Sequence, residues 1–151
     1  MDVMNPTKNP EVTIRKAGLA DTRVIRSLLS QLGYSDLSEE EVSKNIRNHS
    51  HGAYCILVIE EKGQVIAFAS LHWFDLLHWK EKMGRISSFC VDEAYRSKGI
   101  GKVLLLAAEE IFVREGCAKI EVTSNAKRTG AHRFYQSHGY LEDSKRFVKY
   151  L

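Results

Sequence analysis

The sequence predicts a mixed α/β domain with its elements in the order β-α-α-β-β-β-α-β-α-β. Three observations lead there. Residues 53–60 and 64–73 are apolar, β-rich stretches joined by Lys62-Gly63, the pattern of a hairpin. Residues 85–92 read as a strand, followed by the glycine turn Arg96-Ser97-Lys98-Gly99-Ile100-Gly101 and a helical pattern to about Glu115. Val24, Ile25, Leu28, Leu29 and Leu32 recur at helical spacing. In a chain of 151 residues these elements make one domain, residues 12–151, around one buried core.

Residues 1–11 are polar and read as a disordered leader. Val12 to Lys16 is the first strand. Asp21 begins or caps a helix that Gly33 stops after Leu32. Ser38 with Glu41 forms a capping box for a second, more polar helix to about Asn48. The hairpin follows, then a loop from Phe74 to Met83 holding Leu76, Leu77 and Trp79, then the strand at 85–92. The helix after the glycine turn sets Ile100, Leu104, Ala107, Ala108 and Ile111 on one face, a core stripe. Residues 118–124 alternate in polarity as a strand. Thr129 to Ser137 reads as a short helix ended by Gly139, and Phe147 to Leu151 as a last strand closing the sheet.

Hydrophobic residues make up 44% of the chain and charged ones 27%, the balance of a globular protein. The formal net charge is a mild +3. No basic stripe interleaved with aromatics occurs, so nucleic acid is not an expected partner. No apolar run reaches the length that spans a bilayer, so no membrane partner is expected. Cys55, Cys90 and Cys117 lie in or beside core segments. Their odd number predicts buried free thiols and a reducing cytoplasmic setting. Neither CxxC nor HExxH spacing is present, and no metal is expected.

The turn at 96–101 carries the first chemistry. Two glycines let the backbone approach a ligand closely. The helix that follows presents unpaired N–H groups and the positive end of its dipole. Arg96, Lys98 and Lys102 add cations, so the turn suits a pyrophosphate. It is not a Walker A loop: Val103 stands where Ser or Thr is needed, and Arg96 where the first Gly is needed. Nor is it the dinucleotide fingerprint, because Leu104 occupies the third small position. A plain strand-to-helix connection is the competing reading.

With the second segment the pattern resembles the GNAT superfamily of acetyl-CoA-dependent N-acetyltransferases. Residues 96–101 match that family's loop, [RQ]-x-x-G-x-[GA]. Asn125, Ala131, Phe134, Tyr135, Gly139 and Tyr140 match its second signature in order. The resemblance implies the GNAT fold, a central mixed, mostly antiparallel sheet flanked by about four helices. It implies acetyl-CoA as cosubstrate, held by residues 96–102, that is Arg96, Ser97, Lys98, Gly99, Ile100, Gly101 and Lys102. It implies main-chain contacts from Phe89, Cys90 and Val91 to the pantetheine arm, with one N–H polarising the thioester carbonyl. Asn125 would anchor the pantetheine arm or the cofactor end, with a strand-ending cap as its alternative.

N-acetyl transfer needs a neutral amine, donors for the oxyanion and a proton for the leaving thiolate. The resemblance sets Tyr135 near the cofactor sulfur as general acid. A phenol is protonated at neutral pH and can donate to a thiolate. Packing beside Phe134 is its alternative role. Cys90 as an acetyl-accepting nucleophile is disfavoured, because a buried thiol is inert. Many relatives carry a Glu base on the strand at 85–92, where this chain has Ser87 and Ser88. His72 is the best residue base among His72, His78, Asp75, Glu81 and Asp92. A water relay or a purely structural His72 stays open beside it.

The C-terminal run and Leu71-His72 look like the aminoalkylphosphonate N-acetyltransferase branch. That branch has acidic residues on the fourth strand, where this chain has Arg85 and Ser88. The resemblance implies a small-molecule primary amine as acceptor and allows a homodimer. The loop 74–82 and the helices at 21–48 are expected to line the acceptor site, with Trp73, Trp79 and Tyr34 able to shape it. A protein or peptide N-acetyltransferase and a non-catalytic acyl-CoA-binding module are the alternatives.

Overall fold

The computed structural model describes residues 12–123, 129–143 and 145–151. The elements are β1 (Val12–Lys16), α1 (Thr22–Gln31), α2 (Glu39–Asn48), β2 (Tyr54–Glu61), β3 (Gln64–Asp75), β4 (Lys82–Val91), α3 (Ile100–Arg114), β5 (Cys117–Val122) and α4 (Thr129–Ser137). Single 3-10 turns at Leu19–Asp21 and Glu93–Tyr95 precede α1 and α3. The strands lie in the order β1-β2-β3-β4-β5. The first three pairings are antiparallel and β4–β5 is parallel, because α3 crosses over between them.

The strands alternate their side chains between two helical layers. Leu57, Ile59, Ala67, Ala69, Leu71 and Ile86 meet α3 through Ile100, Leu104, Leu105, Ala107, Ala108 and Phe112. Ile56, Val58, Phe68 and Cys90 meet α1 and α2 through Ile25, Leu28, Val42 and Ile46. Such double coverage explains why β2 and β3 read as nearly continuous apolar runs. The buried stripe of α3 includes Leu105 and Phe112, while the expected Ile111 is only half-buried. Phe112 lies over Gly84 of β4, where an added Cβ would sit 2.5 Å from the ring.

Local signals account for most of the boundaries. Lys62 and Gly63 both have left-handed φ, 50° and 78°, as a two-residue hairpin turn requires. Ser38 Oγ accepts from the Glu41 N–H at 3.1 Å, and the Ser38 N–H donates to Glu41 Oε2 at 2.8 Å, completing the capping box. β3 and β4 extend further than expected, pairing Phe74 with Met83 and Asp75 with Lys82, so the loop shrinks to residues 76–81.

Asp21 stands at the N-cap position of α1, yet its side chain does not cap that helix. Its carboxylate accepts both arms of the Arg15 guanidinium, at 2.8 and 2.9 Å, and the Gly18 N–H at 2.8 Å. The Arg15 fork, helped by the Gly18 N–H, outweighs burial and lowers the Asp21 pKa. A depressed folded pKa stabilises above the unfolded value, near 3.9, and that contribution is lost as pH falls through the folded one. Arg15→Ala should therefore destabilise by about 2 kcal/mol at pH 7. Denaturant titrations of both proteins should converge once pH drops well below about 4; a gap independent of pH would refute the pairing.

Residues 145–151 do not close the sheet. They form no strand and are exposed. Strand propensity at Phe147, Val148 and Tyr150 predicted a strand, but a strand also needs a neighbouring edge, and this segment pairs with none of the described strands.

Candidate active site

The pairing of β4 with the edge strand β5 stops partway along β4. Their pairing runs from Lys82 with Cys117 to Ile86 with Val122. β4 then continues to Val91, and among the described residues no strand pairs with it on that side. At the parting point β4 carries a bulge: Ser70 pairs with Ser88 and Leu71 with Ile86, leaving Ser87 as the extra residue. The bulge cancels one alternation, so Ser87 and Ser88 both reach Ser70 Oγ, Ser87 at 2.7 Å.

Beyond the bulge the ladder fixes which main-chain groups face the opening. The Asp92 N–H donates to the Ile66 carbonyl at 2.8 Å. Antiparallel alternation then turns the Cys90 and Ser88 amides toward β3, and those of Phe89 and Val91 toward the side β5 has left. The Val91 carbonyl accepts from Arg96 Nε at 3.1 Å. The Cys90 side chain points the other way, with Sγ 3.4 Å from the Leu28 carbonyl of α1.

The turn after β4 is built for a concave backbone. Asp92 accepts from the Ala94 N–H at 2.9 Å and caps the short turn at Glu93–Tyr95. Ser97 and Gly99 both adopt left-handed φ, 63° and 83°, which curls successive N–H groups toward one side. Gly99 is the N-cap of α3 and gives it no side-chain cap. The two glycines differ in role. Space around Gly99 is open and only its φ requires glycine, whereas a Cβ on Gly101 would meet the Phe134 ring of α4 at 3.2 Å. Arg96, Lys98 and Lys102 are exposed around the turn, with Lys98 Nζ 5.4 Å from the Tyr95 ring centre. Ile100 sends its side chain into the core and leaves only its main chain to the turn.

Tyr135 is buried on α4, its ring 6.1 Å from Phe89 and 5.7 Å from Tyr140. It thus stands over the part of β4 that β5 has left. Tyr140 donates to Glu109 Oε2 of α3 at 2.9 Å. Burial, then that carboxylate, pushes its pKa above the ordinary phenol value. Tyr140 was legible as a motif residue; its tie to α3, which steadies the end of α4, was not. Asn125 lies outside the described residues.

His72 lies on the opposite face from Tyr135, two residues along β3 from Ser70 and on the same side as it. It stacks between Tyr54 and Phe74, both 5.5 Å away. Burial, reinforced by Arg85 and His49, lowers its pKa, against a smaller pull from Glu121. Its imidazole is neutral at neutral pH. Arg85 pairs with Glu121 across β4–β5 and lies 5.1 Å over Phe74. The other base candidates lie elsewhere: Asp75 pairs with Lys82, Asp92 caps its turn, and His78 and Glu81 are exposed in the 76–81 loop.

On that same face a cavity of about 190 Å³ opens between α1, α2 and the sheet. Phe68, Ser70, Ser87 and Ser88 form its floor, with Leu29 and His49 among its walls. Residues of α1 and α2 line it, and the 76–81 loop does not. Trp73 packs edge-on against Phe112, 6.4 Å between ring centres, and belongs to the α3 core. Trp79 lies under Lys119 Nζ of β5, and Tyr34 is exposed. The serine cluster went unread as a unit; its signal was a Ser-Ser doublet interrupting a β-branched strand.

This architecture, a parted sheet with a curled turn at the head of a helix, matches a known family. The Acetyltransferase (GNAT) family matches residues 22–140, most of the chain, and the chain belongs to that family. It is 38% identical over 89 residues to the aminoalkylphosphonate N-acetyltransferase of Salmonella typhimurium, covering 59% of this chain and 58% of that enzyme. This chain therefore aligns with somewhat over half of that relative's length. It is 30% identical over 145 residues to an uncharacterised N-acetyltransferase of Bacillus subtilis, covering 92% of this chain and 95% of the relative. The solved glucosamine-6-phosphate N-acetyltransferase of Arabidopsis thaliana superposes with a TM-score of 0.78 at 27% identity, over 92% of this chain and 97% of that one.

Proposed function

We propose that the chain transfers the acetyl group of acetyl-CoA to a primary amine of a small molecule, by direct attack in a ternary complex. The observation that carries this reading is the end of the β4–β5 pairing at Ile86. Beyond it the Phe89 and Val91 amides face away from β3, on the side where no described strand pairs with β4, near the curled turn and Tyr135. A pantetheine arm can add to β4 there as a strand would, with the pyrophosphate on the turn at 96–102 and the α3 N-terminus.

In this arrangement the acceptor enters from the α1/α2 cavity. Its nitrogen attacks the thioester carbonyl, an N–C bond forms and the C–S bond breaks. On this reading the Phe89 N–H, turned away from β3, stabilises the oxyanion. The amine proton leaves to His72, directly or through water, and the thiolate takes the Tyr135 hydroxyl proton, which solvent restores. A cavity of about 190 Å³ suits a slender amine and supports a small acceptor over a protein segment. Cys55, Cys90 and Cys117, none of them in a disulfide, suit a reducing cytoplasm.

The test is acetyl-CoA-dependent thiol release across aminoalkylphosphonates, polyamines, amino acids, aminoglycosides and short peptides. Release above the no-amine rate with a small-molecule class supports the reading. Release with peptides alone overturns the small acceptor, and acetyl-CoA binding without any release favours the binding module. His72 gives a separate prediction. Because its pKa is lowered, kcat/KM should hold to below pH 6.5 and fall as the imidazole gains a proton. In His72→Gln that acidic limb should vanish, with the plateau lower by about tenfold to a hundredfold. An unchanged profile would leave the proton to water alone.

A further inference from the structure

We infer that the cavity between α1, α2 and the sheet takes a monoamine with an uncharged, apolar body, one aromatic ring or a short alkyl chain, and that this amine is the acceptor. Its part as acceptor rests on the acetyl-transfer reading above; the binding itself does not. The walls are hydrocarbon, with Ile25, Leu29, Leu37, Val42, Ile46 and Phe68 among the lining. Among the described residues that line the cavity, none bears a carboxylate, an ammonium or a guanidinium. At about 190 Å³ it exceeds the cavity of about 150 Å³ that holds benzene between Leu, Ile and Phe side chains.

The serines of the floor give the amine nitrogen its partners. Ser70 Oγ bonds to the hydroxyls of both Ser87 and Ser88. A hydroxyl has more lone pairs than protons, so the cluster keeps acceptor sites after its internal bonds are made. Phe89, whose N–H faces away from β3, follows Ser88 directly, which sets a nitrogen on the floor close to the open side of β4. His49, on the wall, is held by its own helix: its Nδ1 donates to the Asn45 carbonyl at 2.7 Å, and its ring meets Tyr54 edge-on at 4.9 Å.

A second charge on the ligand finds no partner in this lining. A polyamine or an aminoglycoside brings further ammonium groups, and an amino acid or a phosphonate brings an anion. An ion set against apolar walls without a counter-charge is disfavoured. Arg85, opposite His72 in the β3–β4 ladder, is engaged by Glu121 and lies over Phe74. The cavity therefore selects by what it lacks: a hydrocarbon body gains from the walls in proportion to the area it buries, and a charged one loses its water without recompense.

Calorimetric titration of the full chain with each amine, in the presence of CoA, reads binding without turnover. Phenethylamine should bind, and n-alkylamines from propyl to hexyl should tighten about fourfold per methylene until the cavity is full. Diaminoalkanes of the same lengths and 2-aminoethylphosphonate should bind at least about tenfold more weakly. Leu29→Asp sets a carboxylate in a half-buried wall position. It should weaken phenethylamine at least about tenfold and bring the diamine level with it or above. A flat alkyl series overturns the inference, as do charged amines that bind as tightly as apolar ones, or a folded Leu29→Asp protein with the parent's ranking. The alkyl series, run on the parent protein, decides the matter should that variant fail to fold. Binding in the expected order without thiol release from acetyl-CoA supports the cavity's ligand and strikes the transfer reading instead. Release confined to charged amines overturns the ligand and leaves the transfer standing.

Discussion

Tyr135→Phe should lower kcat by about a hundredfold or more while the affinity for acetyl-CoA stays as it was. The substitution deletes one oxygen and keeps the ring, which packs edge-on to Phe89 and beside Phe134 and Tyr140. The gap along β4 therefore keeps its shape, and the turn at 96–102 is untouched. What goes is the proton for the leaving thiolate, and general acids of this kind contribute 10²- to 10⁴-fold, roughly. Steady-state kinetics beside calorimetric titration with acetyl-CoA separates the two quantities. Turnover at the parent rate would reduce Tyr135 to a packing residue. A joint loss of turnover and affinity would mean that the hydroxyl holds the cosubstrate instead.

Gly84→Ala should produce the largest loss of stability among glycine-to-alanine changes that keep φ negative, because its new methyl alone would come within 3.0 Å of another residue. The new carbon would lie 2.5, 2.7 and 2.8 Å from three carbons of the Phe112 ring, well inside van der Waals contact. Phe112 is fully buried and meets Trp73 edge-on, so the ring cannot withdraw without displacing α3 from β4. Overpacking of this kind costs about 3 kcal/mol, a fall in melting temperature of roughly 6 to 12 °C for a chain this size. Pairing Gly84→Ala with Phe112→Leu should recover part of that loss, and the double-mutant cycle should report a coupling above about 1 kcal/mol. Additive losses would show that the ring and the glycine do not share their space.

Both residues show what a single sequence discloses. Tyr135 stands at a fixed offset from Phe134 and Gly139, so its position was legible before its surroundings were. The chain boundaries were legible for a similar reason. Ser38 with Glu41, the Lys62-Gly63 turn and the strand-glycine-helix order at 85–115 are local patterns, and local chemistry suffices to form them. Gly84 gave no such sign, because its need comes from Phe112, distant in sequence. The bulge at Ser87 was hidden likewise, since it exists only relative to β3. Asp21 shows local chemistry outbid by a tertiary partner: a residue suited to capping α1 was taken by Arg15. The last strand failed on pairing, since the strand propensity of residues 147–151 states nothing about whose edge they will meet.

Among the described residues, the stretch of β4 from Ser87 to Val91 pairs on the β3 side alone, and that open side is a seam in the sheet. On the function proposed here its missing neighbour is the cosubstrate itself. Thermodynamic linkage then ties the durability of the fold to metabolism: a ligand at a hundred times its dissociation constant adds about 2.7 kcal/mol to the native state. When acetyl-CoA is abundant the seam is filled. When it is scarce, the same amides stand open to any passing strand, and the protein's persistence becomes a gauge of the acetyl supply it draws on.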